Sequence, residues 1–472
     1  MAGIADIADG LLQGIEDAGA RVSEALFEPV VRLGVTGLSR AGKTVFITSL
    51  VANLIDRGRM TGLRAAAEGR IRAAYLEPQP DDTVPRFDYE AHLDALVGPD
   101  PKWPASTRSI SELRLSLRIA PRGLWGAVAG ARTVHIDIVD YPGEWLLDLG
   151  LMDRDFAGWS AAVLDRARGR DAAARYLALA TQIDGAGPVD EPAAAELAAA
   201  WTDYLRALRE AGLSDCTPGR FLLPGDLAGA PVLTFGPLPA PARAPGRRSM
   251  WAEMARRFEA YKREVVRPFF RDHFARIDRQ IVLADVLGAI HHGPEALEDL
   301  RRALATTLKA FRPGRNSWLF ALLGRRVERI LFAATKADHI HHVQHPRLEA
   351  LMAALVAEAR ARAEFSGAET AAMAIAAVRA TVEEERRHQG AVLPCVRGRL
   401  EDGRQAAFWP GELPEDPAAL LSPARSGAGK WLAGDYEMMK FLPQPLSRRA
   451  GEGPPHIRLD RAAEFLIGDK LG

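Results

Sequence analysis

The chain has 472 residues, which is more than a single hydrophobic core usually encloses. Its 61 basic and 61 acidic residues exclude a basic surface over the whole chain, and a hydrophobic content of 48% excludes an intrinsically disordered protein. Cys216 and Cys395 have no metal-ligand spacing and are interpreted as buried apolar side chains. We expect either two structural units or one much-extended domain, without a nucleic-acid partner.

Residues 1–30 have the apolar spacing of an amphipathic helix. Asp and Glu are interspersed in this segment, whereas a signal peptide starts with basic residues. A later apolar stretch, Trp318–Leu323, is far shorter than the roughly 18 residues that cross a bilayer. This stretch is either a core segment or a patch that docks on a membrane or a membrane protein. The sequence predicts no transmembrane segment.

A phosphate-binding loop follows the first predicted strand, Val31–Thr36. Its eight residues, Gly-Leu-Ser-Arg-Ala-Gly-Lys-Thr, match the pattern G-x-x-x-x-G-K-[ST], and a helix is predicted over Thr44–Leu54. In such a loop the backbone N–H groups and Lys43 bind phosphates, and the hydroxyl of Thr44 binds Mg²⁺. The predicted phosphate-binding residues are Gly37, Ser39, Arg40, Ala41, Gly42, Lys43, Thr44 and Val45.

Further strands and helices predict a doubly wound, mainly parallel α/β sheet with an inserted helical subdomain. Near-continuous apolar runs are typical of strands that are covered on both faces. The Ala-rich segment 151–278 predicts the helical insertion, with Gly236–Ser249 as its exposed loop. The predicted strands are Leu113–Ile119, Val134–Val139, Gln280–Leu287, Arg329–Ala334 and Ala374–Val378, and the predicted helices include Ala193–Gly212, Pro294–Phe311 and Pro346–Ala363.

The chain is predicted to divide into five parts. The C-terminal part holds two short strands, Ala391–Gly398 and Arg404–Trp409, and a closing helix over Asp460–Gly468. The parts are an N-terminal helix (1–30), the first part of a nucleotide-binding core (31–150), the helical insertion (151–278), the second part of the core with the base-recognition loop (279–390), and the C-terminal extension (391–472).

A second phosphate-side motif ends the predicted strand at 134–139. Asp140 and Gly143 form the arrangement D-x-x-G, in which the carboxylate can hold the Mg²⁺ shell and the glycine N–H can sense a γ-phosphate. The same spacing also ends many strands as a plain turn, and Asp137 is a competing carboxylate. Thr107 lies between the two motifs and is either a ligand of Mg²⁺ and the γ-phosphate or an ordinary loop residue.

A base-recognition motif follows the predicted strand at 329–334. Thr335, Lys336 and Asp338 match the pattern [N/T]-K-x-D. The carboxylate of Asp338 can accept two hydrogen bonds from guanine, Lys336 can lie over the base and sugar, and adenine has no such pair of donors. Thr335 replaces the commoner Asn and removes an amide tether to the phosphate loop. The alternative is an aspartate on an ordinary loop; the motif itself predicts GTP or GDP with Mg²⁺ as the cofactors.

These motifs resemble those of the YcjX family of bacterial P-loop proteins. The resemblance spans almost the whole chain and implies a GTPase-like fold with a helical insertion, guanine nucleotide binding, a link to stress responses and a membrane protein partner. We therefore expect a cytoplasmic protein, at most peripheral to the inner membrane. The matching segments are Gly37–Thr44, Trp103–Thr107, Asp140–Trp145, Leu223–Gly229 and Ala333–His339.

Glu144 stands directly after Gly143, where switch GTPases often have a glutamine that orients water. A carboxylate adds negative charge beside the phosphates and predicts slow intrinsic hydrolysis that an activating protein would raise. Arg40 either offsets this charge or is a solvated loop side chain. We expect a GTP/GDP-dependent switch; the alternatives are an ATPase or small-molecule phosphotransferase and a nucleotide-stabilised scaffold for a membrane partner. The predicted catalytic residues are Lys43, Glu144, Arg40 and Thr107, and the predicted Mg²⁺ ligands are Thr44, Thr107 and Asp140.

Four histidines follow Asp338 closely: His339, His341, His342 and His345. Zinc sites combine histidine with cysteine or carboxylate ligands, and the sequence shows neither at a ligand spacing from this cluster. The pattern therefore favours a polar surface over a zinc site.

Overall fold

The computed structural model describes residues 28–38, 40–105, 109–122, 131–307, 327–427, 436–445 and 449–472. The predicted helix up to residue 27, Ser39, Thr107 and the stretch Trp318–Leu323 lie outside these residues. Within the described ranges, no helix is both long enough and apolar enough to cross a bilayer.

A seven-stranded sheet in the order β2-β3-β4-β1-β5-β6-β7 forms the centre of the molecule. The five strands from β4 to β7 in this order are parallel, and β3 and β2 join antiparallel at one edge. The predicted mainly parallel α/β sheet is therefore confirmed. The strands are β1 (Val30–Gly37), β2 (Ile71–Glu77), β3 (Ser111–Ile119), β4 (Arg132–Asp140), β5 (Arg279–Ala284), β6 (Arg329–Ala334) and β7 (Glu369–Ala374).

Seventeen α-helices are found among the described residues, and those before β4 and after β5 cover the main sheet and its edges. They are α1 (Lys43–Ile55), α2 (Arg64–Ala67), α3 (Tyr89–Val97), α4 (Gly143–Leu147), α5 (Leu149–Met152), α6 (Phe156–Ala167), α7 (Ala174–Gln182), α8 (Glu191–Glu210), α9 (Gly219–Leu222), α10 (Met250–Tyr261), α11 (Arg267–Asp272), α12 (Val286–His292), α13 (Pro294–Thr307), α14 (His345–Leu355), α15 (Ala357–Phe365), α16 (Ala418–Ser426) and α17 (Leu459–Ile467).

The sequence of β5 explains why this strand lies in the centre of the sheet. All six of its residues are buried, and successive side chains point to opposite faces of the sheet. Ile281 and Leu283 join the apolar cluster formed with α1 and α17. Val282 and Ala284 join the opposite cluster, which contains α13 and α14. A continuous apolar run is thus required because both faces are covered.

The chain between β4 and β5, residues 141–278, is described throughout, and its regular elements are helices. One of them is a π-helical turn at Lys262–Val266, between α10 and α11. This helical segment packs around its own aromatic cluster, in which Trp159 stacks on Phe258 with ring centroids 4.8 Å apart. Of the predicted loop Gly236–Ser249, residues 236–238 are buried and 242–248 are exposed. The division of the chain into separate units remains a prediction.

A second, four-stranded antiparallel sheet follows β7. It confirms the predicted strands near 391–398 and 404–409 and contains β8, which the sequence did not indicate. The closing helix α17 returns to the main sheet and packs against α1 and β5. The strands of the second sheet are β8 (Thr381–His388), β9 (Ala391–Leu400), β10 (Gln405–Phe408) and β11 (Phe441–Leu442).

Three predicted element bounds were wrong. Strand β5 stops at Ala284 rather than at residue 287, because the side chain of Asp285 accepts a hydrogen bond from the N–H of Gly288 (2.9 Å) and starts α12. Strand β7 ends at Ala374, where a strand over 374–378 was expected, and the following residues form a loop. The helix predicted over 346–363 is two helices that meet at Val356. Strand β2 was not predicted.

Candidate functional site

The phosphate loop leaves β1 and enters α1 through two left-handed backbone positions. Gly42 has φ 77° and Arg40 has φ 65°. The N–H of Phe46 donates to the carbonyl of Gly42 (2.9 Å), which starts α1 at this glycine. No acidic residue stands in the first turn of α1, so its N–H groups and positive dipole end can attract an anion. The side chain of Arg40 is exposed.

Lys43 of this loop forms a buried ion pair with Asp140 at the end of β4. The Nζ atom lies 2.5 Å from Oδ1, and the two side chains are 10% and 1% exposed. The competing carboxylate, Asp137, lies an odd number of residues earlier in the strand and thus on the opposite face. It accepts two hydrogen bonds from Arg114 (2.6 and 2.9 Å). The structure therefore places Asp140 at the phosphate loop.

The glycine of the D-x-x-G motif touches the start of the phosphate loop. A Cβ atom on Gly143 would lie 2.1 Å from the carbonyl oxygen of Gly37, a distance that no side chain tolerates. The N-terminus of α4 and the phosphate loop are thus in direct backbone contact. This contact leaves no room for a side chain between the two elements.

Glu144, the predicted water-orienting residue, is buried and faces the helical segment. Nη2 of Arg209 on α8 lies 3.5 Å from its Oε1 atom. Gly219, at the start of α9, packs so closely on the carbonyl of Glu144 that a Cβ there would lie 2.5 Å away. The residue that the sequence placed beside the nucleotide is therefore also an anchor for two helices.

Two further side chains attach the residues after Gly143 to the helical segment. The guanidinium of Arg220 lies 3.3 Å from the ring centroid of Trp145. Asp148 accepts hydrogen bonds from the N–H of Gly219 (2.8 Å) and the hydroxyl of Tyr261 (2.5 Å). Burial raises the pKa of the Asp148 carboxyl to about 7. We refer to residues 144–148 with these contacts as the joint.

The base-recognition motif starts at the end of β6, two strands away from β1. Both N–H and hydroxyl of Thr335 contact the carbonyl of Ala284 (3.0 and 3.3 Å). Lys336 is in the left-handed region (φ 61°), and its Nζ pairs with the carboxylate of Asp285. Since Asp285 also starts α12, this carboxylate holds the lysine side chain in place.

Asp338 is buried and held by the loop after β7. Its Oδ2 atom accepts from the N–H of Ala380 (2.8 Å), and its carbonyl accepts from the hydroxyl of Thr381. The N–H of Ala337 donates to the carbonyl of Ile375 (3.0 Å). The residues expected as a strand over 374–378 thus form part of the base side, because the chain turns there to meet the motif.

The phosphate loop is linked to the base side although Thr335 replaces the asparagine that usually forms such a tether. The hydroxyl of Ser49 on α1 donates to the carbonyl of Ala377 (2.5 Å). Asn53, one turn later, donates to the carbonyl of Pro454 (3.0 Å). The contact of Ser49 connects the helix of the phosphate loop to the loop that holds Asp338, and that of Asn53 connects the helix to the segment before α17.

The phosphate loop and the base-recognition motif lie at the same edge of the sheet because the strands that precede them are parallel. The register pairs Gly37 with Leu283 and Ala284 with Ala334, so the carboxyl ends of β1, β5 and β6 are neighbours. Val35 pairs with Asp140, which brings the end of β4 to the same edge. Of the other predicted residues, Ala41, Thr44 and Val45 lie on the loop or the first turn of α1.

Sequence reasoning missed Ser49, Arg209, Asp285 and the loop at 375–380. Asp285 carried a usable signal, since it ends a buried strand in the same way as Asp140 does. The others carried none, because their partners are distant in sequence.

The charges of the phosphate side fit a magnesium–nucleotide complex. Such a complex presents an anion and a cation together, and the site already holds an ammonium group and a carboxylate side by side. Lys43 and the N–H groups of α1 would hold phosphate oxygens, and Thr44 with Asp140 would hold Mg²⁺. Lys43 would then pair with a phosphate in place of the Asp140 carboxylate, and Asp140 would pair with Mg²⁺ in place of the Lys43 ammonium group.

A mostly parallel sheet with a glycine-rich phosphate loop between its first strand and first helix defines the P-loop GTPase-like class of α/β fold. Residues 31–471 match the model of the YcjX-like family, DUF463. The chain belongs to this family. The Ras-like GTPase YcjX of Escherichia coli (strain K12) is 40% identical over 456 residues, which cover 93% of this chain and 96% of that relative. The Ras-like GTPase YcjX of Shewanella oneidensis is 34% identical over 466 residues, with 93% and 94% covered.

Proposed function

We propose that the chain is a Mg²⁺-dependent, guanine-nucleotide-binding GTPase that acts as a GTP/GDP switch with slow intrinsic hydrolysis. One observation supports the proposal of a switch. Gly143 touches the phosphate loop at Gly37, and the residues directly after it are attached to the helical segment. A γ-phosphate that moves Gly143 would therefore move those helices.

Slow hydrolysis follows from the position of Glu144. Its carboxylate is paired with Arg209, and Gly219 packs against its backbone carbonyl, so the side chain is held towards the helical segment. Orientation of a water molecule by Glu144 would require the ion pair with Arg209 to open. An activating protein that reshapes the helical segment would thus raise the rate.

Guanine preference is supported by the buried carboxylate of Asp338. Oδ2 of this carboxylate already accepts from the N–H of Ala380, and the remaining acceptor capacity matches the two donors of a guanine. An adenine has no such pair of donors, and the loss of these hydrogen bonds costs about 1–3 kcal/mol. The names of the two relatives agree with a GTPase. The membrane partner and the stress response rest on the family resemblance alone.

Base preference is tested by titration calorimetry with GDP, GTP, ADP and ATP on the wild type and on Asp338→Asn. We expect guanine nucleotides to bind the wild type best, and the variant to bind them about 10- to 100-fold more weakly. Asp402→Asn, in an exposed turn after β9, is the matched control and should bind as the wild type does. Equal binding of ATP and GTP by the wild type would favour an ATPase.

The switch is tested by limited proteolysis and thermal melting with GDP and with a non-hydrolysable GTP analogue. The wild type should show different cleavage in the helical segment for the two ligands, and Arg209→Ala should reduce this difference because the joint loses a contact. Arg206→Ala lies in the same helix, pairs with Asp203 on the surface, and serves as control. Identical cleavage and melting shifts with both nucleotides would indicate a nucleotide-stabilised scaffold.

A further inference from the structure

Two of the four clustered histidines meet a carboxylate from another part of the chain. His341 and His342 lie just beyond the base-recognition motif, and Glu383 lies on β8. Each offers a ligand atom, and the three atoms are within 4.8 Å of one another. The sequence had argued against a zinc site because it showed no carboxylate at a ligand spacing, and the fold supplies that carboxylate.

The distances between the donor atoms suit a small tetrahedral ion. The Oε2 atom of Glu383 lies 2.7 Å from Nδ1 of His342 and 3.8 Å from Nε2 of His341. Zinc bonds of about 2.0–2.1 Å at a tetrahedral angle separate two donors by about 3.4 Å. The two observed distances lie on either side of this value, so small side-chain shifts bring three donors onto one ion.

The other groups around the cluster leave these donors available. His339 packs on the ring of Phe441 with centroids 5.4 Å apart, and Nε2 of His345 contacts the carbonyl of Ala337 (2.8 Å). His341 is buried, and its Nδ1 has no hydrogen-bond partner among the described residues. The nitrogen of His341 that faces Glu383 is the other one, Nε2, and this is the atom that an ion between the two side chains would take as its ligand.

One cationic side chain lies beside the cluster: the Nη2 atom of Arg379 is 3.7 Å from Oε1 of Glu383. Its contact is with the other carboxylate oxygen, so Oε2 remains directed at the two imidazoles. His342 has a side chain that is 64% exposed, which gives the cluster access to solvent.

We propose that His341, His342 and Glu383 form a Zn²⁺ site with a fourth position open to water. Two imidazoles and one carboxylate with an open position are a common ligand set for zinc, and Mg²⁺ prefers oxygen ligands. The ion would join the turn after Asp338 to β8. That strand begins at Thr381, which already contacts the carbonyl of Asp338.

Binding is tested on the full chain with Zn²⁺ alone as the probe, in competition with a chromophoric chelator and in excess Mg²⁺ to fill oxygen sites. We expect one equivalent to bind the wild type, and His342→Ala or Glu383→Gln to bind at least 10-fold more weakly. Because His342 is exposed, its replacement should leave the melting temperature of the metal-free protein unchanged. Co²⁺ in place of Zn²⁺ should give the visible absorption of a tetrahedral site in the wild type alone.

His388→Ala and Glu385→Gln are matched controls, because both side chains are exposed on the same strand. Both should bind Zn²⁺ as the wild type does. The proposal is overturned if the wild type binds less than one equivalent, or if His342→Ala and Glu383→Gln bind with wild-type affinity. The readout does not depend on nucleotide, so it is independent of GTPase activity.

Discussion

The phosphate side and the base side of the site are held in different ways. On the phosphate side, contacts of side chains predominate. Lys43 pairs with Asp140 at the end of β4, and the joint contacts α8, α9 and α10 of the helical segment. On the base side, most contacts involve backbone groups of adjacent strands and of the loop at 375–380. Backbone pairing fixes geometry, whereas long side-chain contacts can re-form in a second arrangement.

This difference indicates where ligand-dependent movement would occur. The base side would hold the nucleotide in one orientation, and the phosphate side would report the γ-phosphate to the helices. Three substitutions test this comparison. Two of them remove a contact on the phosphate side, and the third removes a contact on the base side.

Lys43→Ala should have the largest effect. It removes the cation that would face the phosphates and that pairs with the buried carboxylate of Asp140. We expect GDP to bind at least 100-fold more weakly and the free energy of unfolding to fall by about 3 kcal/mol. Calorimetry and denaturant unfolding measure the two quantities. Lys102→Ala, an exposed lysine paired with Asp100 at 3.0 Å, should change neither.

Asp148→Asn tests the joint through its pH dependence. The folded pKa of Asp148 is about 7, above its ordinary 3.8, so the folded chain keeps a proton that the unfolded chain has lost. The stabilisation from this group is therefore complete below pH 4 and is lost as the pH rises through 7, by up to about 1.4 kcal/mol per pH unit. Denaturant unfolding from pH 5 to 8 should show a shallower loss of stability in the variant.

Asp165→Asn provides the control for that series. Its side chain is 78% exposed and pairs only at the surface with Arg168 (3.5 Å). The variant should follow the wild-type pH profile. Parallel profiles for Asp148→Asn and the wild type would refute a proton held at the joint.

Ser49→Ala should have the smallest effect, and it acts on the base side. The hydroxyl group donates to the carbonyl of Ala377, and its loss costs about 1 kcal/mol. We expect GDP to bind roughly two- to fivefold more weakly, with the difference in proteolysis between nucleotides retained. Thr202→Ala removes a similar hydroxyl bond (2.7 Å to the carbonyl of Ala198) far from the site and should bind GDP normally. Loss of the proteolysis difference in Ser49→Ala would contradict the separation of the two sides.

The fold class was predictable because its signals are local. The phosphate loop occupies eight consecutive residues, and β5 and β6 are continuous apolar runs that only a covered sheet requires. The apolar pattern failed at residues 375–378, where Ile375 is buried as in a strand although the backbone turns towards the base loop. Hydrophobic periodicity reports burial and cannot distinguish a buried turn from a strand.

Partners that are distant in sequence were not predictable. Glu383 lies 41 residues after His342, and β8, which carries it, is charged and mostly exposed, so no periodic signal marked the strand. Arg209 is one of two arginines on α8, and nothing local distinguishes it from Arg206. Such pairs depend on how helices and strands pack, which spacing alone does not encode.

The contacts of residues 62–70 with residues 460–471 have a consequence for folding. The N–H of Gly62 donates to Asp460 (2.7 Å) across 398 residues, and Arg70 donates to the carbonyl of Leu471 (2.7 Å) across 401. Folding slows when native contacts join residues so far apart in the chain, because the entropy cost of closing the loop comes before the stabilisation from packing. Because α1 shares an apolar cluster with α17, we also expect the helix that carries the phosphate loop to reach its final position late. In a refolding experiment, the appearance of nucleotide binding would then mark the end of folding.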